Sequence, residues 1–304
     1  KAVGSYAGTY DYAEISQTSN PNNWGDPDNP NPTPVVEGTP EGILNDVIIF
    51  PYNDVERSIN ILDQHAKDIA CVLIDPVPHR VGLIPGNSDF IEAIYKWTRK
   101  NNAILAFDEV VTYRASYSGA QERYRIKPDL TALGKIIGGG FPIGALAGNS
   151  DIMKVLDPRE KKLKHPHSGT FSANPISTTA GYTAMKLFDQ AAVSQLNKLT
   201  EIARSQIEEA ITIADIEISI TGVGSMFRIH MQKEAPSTFR EAYQNSQTRN
   251  IINELIDYLF LEENILMINT GTCMFATTLI QNDIDRLSEA LLNGFKLIKP
   301  KINK

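Results

Sequence analysis

Apolar residues recur along this chain in two periods, and their alternation lays out a run of strands and helices. Residues 69–74 and 103–107 are unbroken apolar runs of strand length, the pattern of strands covered on both faces in a parallel sheet. Residues 47–50 read as a further strand. Between these runs the period changes to that of a helix. Residues 54–67 carry Val55, Ile59 and Leu62 at helical spacing with Asp54 as N-cap, and residues 88–101 turn Phe90, Ile91, Ile94 and Trp97 to one side. Strand and helix in alternation predict an α/β unit with a mainly parallel sheet. A long helical pattern follows over residues 174–210, broken near Asp189. Strands are then expected over 216–221 and 226–231 around Gly222-Val223-Gly224, with helices over 240–262 and 283–297, the last capped by Asn282 or Asp283. The change of pattern near residue 190 predicts a large α/β domain over residues 1–190 and a smaller α+β domain over 191–304.

Two stretches interrupt this plan. Residues 16–42 are polar and dense in proline, which forbids helix and ladder pairing, so a long excursion loop is expected with Trp24 as its docking point. Residues 157–168 form a second polar loop whose Lys161, Lys162 and Lys164 read as solvated surface. The 304 residues, 42% hydrophobic and 21% charged, are ample for a globular core. A net charge of −7 argues against nucleic acid as a partner. No apolar run is long enough to span a bilayer and no signal segment opens the chain, so a cytoplasmic location is expected. Cys71 and Cys273 lie far apart in apolar contexts and are expected as buried reduced thiols; no metal-ligand spacing is present.

The candidate chemistry gathers at strand ends. Asp75 and Asp108 each follow an apolar strand, and ligands of parallel sheets bind at the carboxyl ends of strands. Lys135 lies in Leu133-Gly134-Lys135-Ile136-Ile137-Gly138-Gly139-Gly140. Taken singly, a strand-end aspartate is ordinarily a loop cap and a lysine beside glycine a solvated turn. Together, a carboxylate to keep a pyridine nitrogen protonated and an amine to form a Schiff base are what pyridoxal phosphate chemistry requires. Gly169-Thr170 near a helix entrance offers N–H groups and a hydroxyl to a phosphate, although Asn174-Pro175 reads equally well as an ordinary helix start.

In this order, Phe107-Asp108-Glu109-Val110, Tyr117-Ser118-Gly119-Ala120-Gln121-Glu122, Pro128-Asp129-Leu130-Thr131-Ala132-Leu133-Gly134-Lys135 with its glycines, and Gly169-Thr170 resemble class III pyridoxal-phosphate-dependent aminotransferases, in the glutamate-1-semialdehyde aminomutase-like branch. The resemblance is dense from Val72 to Leu187 and looser through Gly222-Val223-Gly224-Ser225-Met226-Phe227 and Asn282-Asp283-Ile284-Asp285-Arg286. It implies fold type I architecture and a homodimer that shares its active sites. Lys135 would bind the cofactor covalently and shuttle protons, and Asp108 would pair with the pyridinium nitrogen. Val110 would lie on one ring face and Tyr6 on the other. Thr170 would reach the phosphate held by a neighbouring subunit.

The departures shape the expected reaction. The family carries a region ahead of Tyr6, with a Gly/Ser-rich phosphate loop, whereas this sequence opens at Lys1 without methionine. A fragment of a longer enzyme, or a non-catalytic remnant, is therefore a standing alternative. The family's Tyr-His-Gly is Tyr6-Ala7-Gly8, and its Glu-Pro-Val-Val-Gly-Asn is Asp75-Pro76-Val77-Pro78-His79-Arg80. Arg80 becomes a candidate clamp for a substrate carboxylate, beside the plainer reading of a loop salt bridge. The segment that supplies a glutamate in true aminomutases, Thr270-Gly271-Thr272-Cys273-Met274-Phe275, holds no acid. These changes favour a transaminase acting between an amino acid or amine and a keto or aldehyde acceptor. The intramolecular aminomutase of tetrapyrrole synthesis is the alternative.

Overall fold

Apolar strands that cannot satisfy their backbone in water pair side by side, and the chain does this twice. The computed structural model describes residues 1–162 and 164–302. Leu163 of the expected 157–168 loop, and residues 303–304 at the end of the expected second domain, lie outside the described residues. Strands β1 (Cys71–Ile74), β2 (Ile104–Asp108) and β3 (Leu130–Gly134) are parallel and adjacent in that order. Strand β4 (Gly144–Gly148) closes the sheet antiparallel to β3. Helices α1 (Val55–Gln64) and α2 (Ser88–Lys100) precede β1 and β2 in the chain. Asp54 caps α1 by accepting from the Arg57 N–H at 3.0 Å.

A second, antiparallel sheet of three strands follows: β5 (Ser219–Val223), β6 (Met226–His230) and β7 (Thr272–Met274). Helix α3 (Pro175–Leu187) ends just before Asp189, whose side chain caps α4 (Gln190–Ala214) from the Ala192 N–H, which is why the helical pattern breaks there. Helices α4, α5 (Ser246–Leu261) and α6 (Gln281–Ile302) bury Ala203, Ile207, Leu255 and Leu291 against Phe227 and Ile229 of β6. A separate core joins Phe50, Leu62, Ile74, Phe90, Trp97 and Phe107, and takes in Phe239 and Ala242 from the far half of the sequence.

Several elements differ from their sequence-based expectation. The strand expected over 47–50 reduces to a parallel bridge between Ala2 and Phe50, with the Val3 N–H donating to the Phe50 carbonyl at 2.9 Å. Pairing stops because Pro51 has no N–H and Gly4 turns the other chain away at φ 78°. Helix α1 buries Ser58, Ile61 and Leu62, leaving Val55 exposed. The helix expected from residue 240 begins at Ser246, where Asn245 accepts from the Thr248 N–H, because the preceding turn is drawn into the other core by Phe239 and Ala242. Helix α6 starts two residues before Asp283, whose carboxylate accepts from the Ile280 N–H at 2.9 Å. Cys71 is exposed, since it opens the edge strand β1, and Cys273 is half-buried; both are free. The excursion loop contains one two-residue ribbon, Gly25–Asp26 with Asn29–Pro30. Trp24 does dock, edge-on against Phe239 and Tyr243 with the Arg240 guanidinium 4.9 Å over its ring. Among the described residues, no helix is long and apolar enough to cross a membrane.

Candidate active site

Parallel strands deliver their carboxyl ends to one edge of a sheet, and here that edge gathers titratable groups. Ile74 is in register with Phe107, and Asp108 with Ala132. Asp75, Asp108 and Lys135 therefore leave three neighbouring strands at the same end. Asp108 is buried and accepts from the Val110 N–H at 3.0 Å. Burial raises its pKa, and the Val110 N–H, Lys135 and Lys1 oppose the rise. Asp75 accepts from the Val77 N–H at 2.9 Å, and its complete burial, with Asp108 beside it, pushes its pKa well up.

Lys135 begins a single turn, Lys135–Gly138, directly after β3 and adopts φ 48°, a left-handed conformation unusual for a side-chain-bearing residue. Strained backbone of this kind concentrates at functional sites. Val110 lies alongside: a Cβ built on Gly134 would stand 3.2 Å from Val110 Cγ1, so a glycine lets the lysine turn close on that side chain. Tyr6 and His79 meet edge to face with ring centroids 5.8 Å apart. Arg80 is exposed and lays its guanidinium over the Tyr6 ring at 4.6 Å. The Lys1 ammonium holds the Tyr6 segment by donating to the carbonyls of Ser5, at 2.8 Å, and Ala13. Burial lowers the Lys1 pKa to about 8, against the pull of Asp108.

Thr170 stands on an exposed turn ahead of α3, beside Phe171, which is 81% exposed. The helix start behind it is the ordinary one, with Asn174 accepting from the Ser177 N–H at 2.9 Å and Pro175 in the first turn. No hydrogen bond among the described residues joins Thr170 to the strand-end cluster. The strand-end cluster thus unites Asp108, Lys135 and Val110, reaches Tyr6 and Arg80 through Lys1 and His79, and leaves Thr170 outside within one copy of the chain.

Two residues of the site escape sequence reasoning. Glu109 is fully buried and accepts from the backbone N–H groups of Ala120, at 2.5 Å, and Gln121, at 3.0 Å. It pins the 117–121 turn behind the Asp108 strand end, and burial pushes its pKa up to about 7. Arg228 on β6 is also buried, with its Nη1 donating to the His79 carbonyl at 3.1 Å. The only trace of either in the sequence is a charged residue inside an otherwise apolar strand or strand end. Chemically, the crevice offers a buried carboxylate able to hold a protonated heteroaromatic nitrogen and a primary amine able to condense with an aldehyde. An aromatic ring stands at its wall. These residues fit pyridoxal phosphate.

Comparison with known proteins points to the same cofactor. The sequence matches the family model of class III aminotransferases over residues 34–255. A glutamate-1-semialdehyde 2,1-aminomutase from Methanothermobacter thermautotrophicus is 35% identical over 243 residues, covering 80% of this chain and 55% of that protein. One from Methanosphaera stadtmanae is 31% identical over 307 residues, covering 100% of this chain and 68% of that protein. Among solved structures, an omega-transaminase from Sphaerobacter thermophilus superposes with a TM-score of 0.94 at 34% identity, over 98% of this chain and 67% of that one. A transaminase with pyridoxal phosphate bound gives 0.86 at 31% identity, over 100% and 68%. The chain thus spans from about half to two thirds of the length of these relatives. With its α/β architecture, and with pyridoxal phosphate as the cofactor of the family, this chain belongs to the class III aminotransferases.

Proposed function

We propose that this chain carries the catalytic lysine of a pyridoxal-phosphate-dependent aminotransferase that moves an amino group between an amino acid or amine and a keto or aldehyde acceptor. The observation that carries the reading is the placement of Asp108 and Lys135 at the carboxyl ends of adjacent parallel strands, where Lys135 opposes the rise that burial gives the Asp108 pKa. When bound, the cofactor supplies an electron sink that stabilises a carbanion at the carbon bearing the amino group. In this reading Asp108 keeps the pyridine nitrogen protonated. Its burial makes that ion pair stronger than one in water. The Lys135 Nζ anchors the cofactor and then carries the proton between the two carbons that exchange it. Val110 and Tyr6 confine the ring. Thr170, exposed here, is assigned to the phosphate of a second copy, so the working unit is a homodimer with shared sites.

Transfer between two substrates is preferred over intramolecular transfer. The segment that carries a glutamate in true aminomutases is here Thr270–Phe275, and its middle forms β7, where Cys273 and Met274 pair with Phe227 and Met226. No acid is supplied from that strand. The aminomutase reading draws its support from the names of the curated relatives.

The test is the visible absorption of the purified protein with added pyridoxal phosphate, wild type beside Lys135→Ala. A band that survives gel filtration in the wild type and is missing from the variant is expected. Release of a keto acid on addition of an amino donor then separates transaminase from aminomutase. No retained band in either protein overturns the proposal.

A further inference from the structure

Strand β6 alternates strictly. Phe227 and Ile229 enter the core of the small domain, while Met226, Arg228 and His230 face the 76–83 turn of the large one. Met226 packs with Val77 and Leu83 there, and His230 Nε2 meets the Thr221 hydroxyl at 2.7 Å and the Gly82 carbonyl at 3.3 Å. Arg228 has no such complement. It is 5% exposed, and among the described residues its Nη1 reaches only the His79 carbonyl and its Nε has no acceptor. Among the described residues no carboxylate forms an ion pair with it. A guanidinium withdrawn from water with one neutral acceptor is costly to the fold, whereas a carboxylate matches its planar fork with two parallel hydrogen bonds.

The surroundings say where such a carboxylate would come from. Arg228, Arg80 and Lys135 all bear on the His79 imidazole, whose pKa burial and those cations lower to about 4. His79 is therefore neutral at physiological pH, and among the described residues its buried Nδ1 has no partner. His79 thus links Arg228, through its carbonyl, to the Tyr6 ring and the Arg80 guanidinium stacked on it. The acids facing that crevice are otherwise engaged: Asp75 with the Val77 N–H, and Asp108 with the Val110 N–H in the position assigned to the cofactor nitrogen. Arg80, the clamp expected from sequence, is exposed and stacked on Tyr6.

Resting on the aminotransferase reading above, we propose that Arg228 is the anchor for the carboxylate of an amino-acid substrate, binding it through the Nε edge, so that the amino donor is a carboxylate-bearing amine and not a plain one. The inference is tested on the cofactor-loaded protein in two ways. Calorimetry compares butanoate with butanamide, which share shape and differ in charge. The wild type is expected to bind butanoate at least about 10-fold tighter, and Arg228→Gln to bind the two alike. Kinetics then compares an amino acid with the amine of the same chain lacking the carboxylate. Arg228→Gln is expected to raise KM for the amino acid at least about 30-fold more than KM for the plain amine, with Arg228→Lys between. A purely structural role would slow both substrates together. The assignment is overturned if wild-type protein binds butanoate no better than butanamide, a comparison that needs no variant to fold. It is equally overturned if Arg228→Gln slows both substrates alike while butanoate binding persists. A retained cofactor band without carboxylate preference removes Arg228 alone, whereas a missing band removes the aminotransferase reading with it.

Discussion

Glu109 shows how one side chain links the strand end to its supporting turn. Its ordinary pKa of 4.5 is raised to about 7 by burial, even though it accepts from two backbone N–H groups. Between those values the folded protein holds a proton that the unfolded chain has released. Folding stability from this group is therefore highest below pH 4.5 and is lost as pH rises through about 7, by up to about 3 kcal/mol. Glu109→Gln keeps one acceptor and removes the titration. Urea unfolding at pH 5 and pH 8 is expected to show the wild type losing more stability than the variant across that interval. Parallel pH profiles would reject the assignment. At this scale the sequence is legible where chemistry is unusual and local, as with Lys135 among glycines or Asp108 at the end of an apolar run. Glu109 and Arg228 are not legible that way, because a charged residue in a strand ordinarily faces water. Only the second layer packed over it reveals that it is buried.

The turn that carries Lys135 is held by helix α3, and the contact is made of backbone. A Cβ on Gly181 would stand 2.0 Å from the Ile137 carbonyl oxygen, and the Ser177 hydroxyl donates to the Pro142 carbonyl at 2.8 Å. At Gly181 no side chain fits between α3 and the lysine turn. Gly181→Ala must push the two apart, at a cost of about 1–3 kcal/mol. A lower urea midpoint together with weaker cofactor retention is expected, while the same substitution at the exposed Gly42, which has open space around it, should do neither. Retention equal to wild type in Gly181→Ala would show that α3 does not position the lysine. Helices and strands were readable where the period was long, as in α2 and in α4 with its break at Asp189. The stretch at 47–50 has strand composition yet gains only a bridge, because strand pairing depends on a partner that local composition does not specify.

Across the whole molecule the two sheets are joined by a small shared apolar cluster, Val77, Leu83 and Val111 with Met226, and by polar side chains around it. Arg114, six residues past Asp108, is half-buried; its Nε donates to the Ser225 hydroxyl at 2.9 Å and its Nη2 to the Phe275 carbonyl. The Asn197 amide donates to the Ala115 carbonyl at 2.9 Å, and the Thr221 hydroxyl to the Gly82 carbonyl at 2.5 Å. The Arg114 partners lie 111 and 161 residues away along the chain, a distance over which periodicity carries no information. The strands and helices themselves were therefore legible, and the way they lock together was not. This arrangement places Arg228 of one half against His79 of the other, so the crevice is complete only while the halves are docked. Arg114→Ala strands the Phe275 carbonyl and the Ser225 hydroxyl at the junction, which should cost about 1–3 kcal/mol. If the junction couples the halves, calorimetric unfolding of the variant broadens or splits into two transitions, and butanoate binding weakens although Arg228 is untouched. A single transition at the wild-type temperature, with butanoate binding intact, would mean that each half holds its own geometry without this clamp.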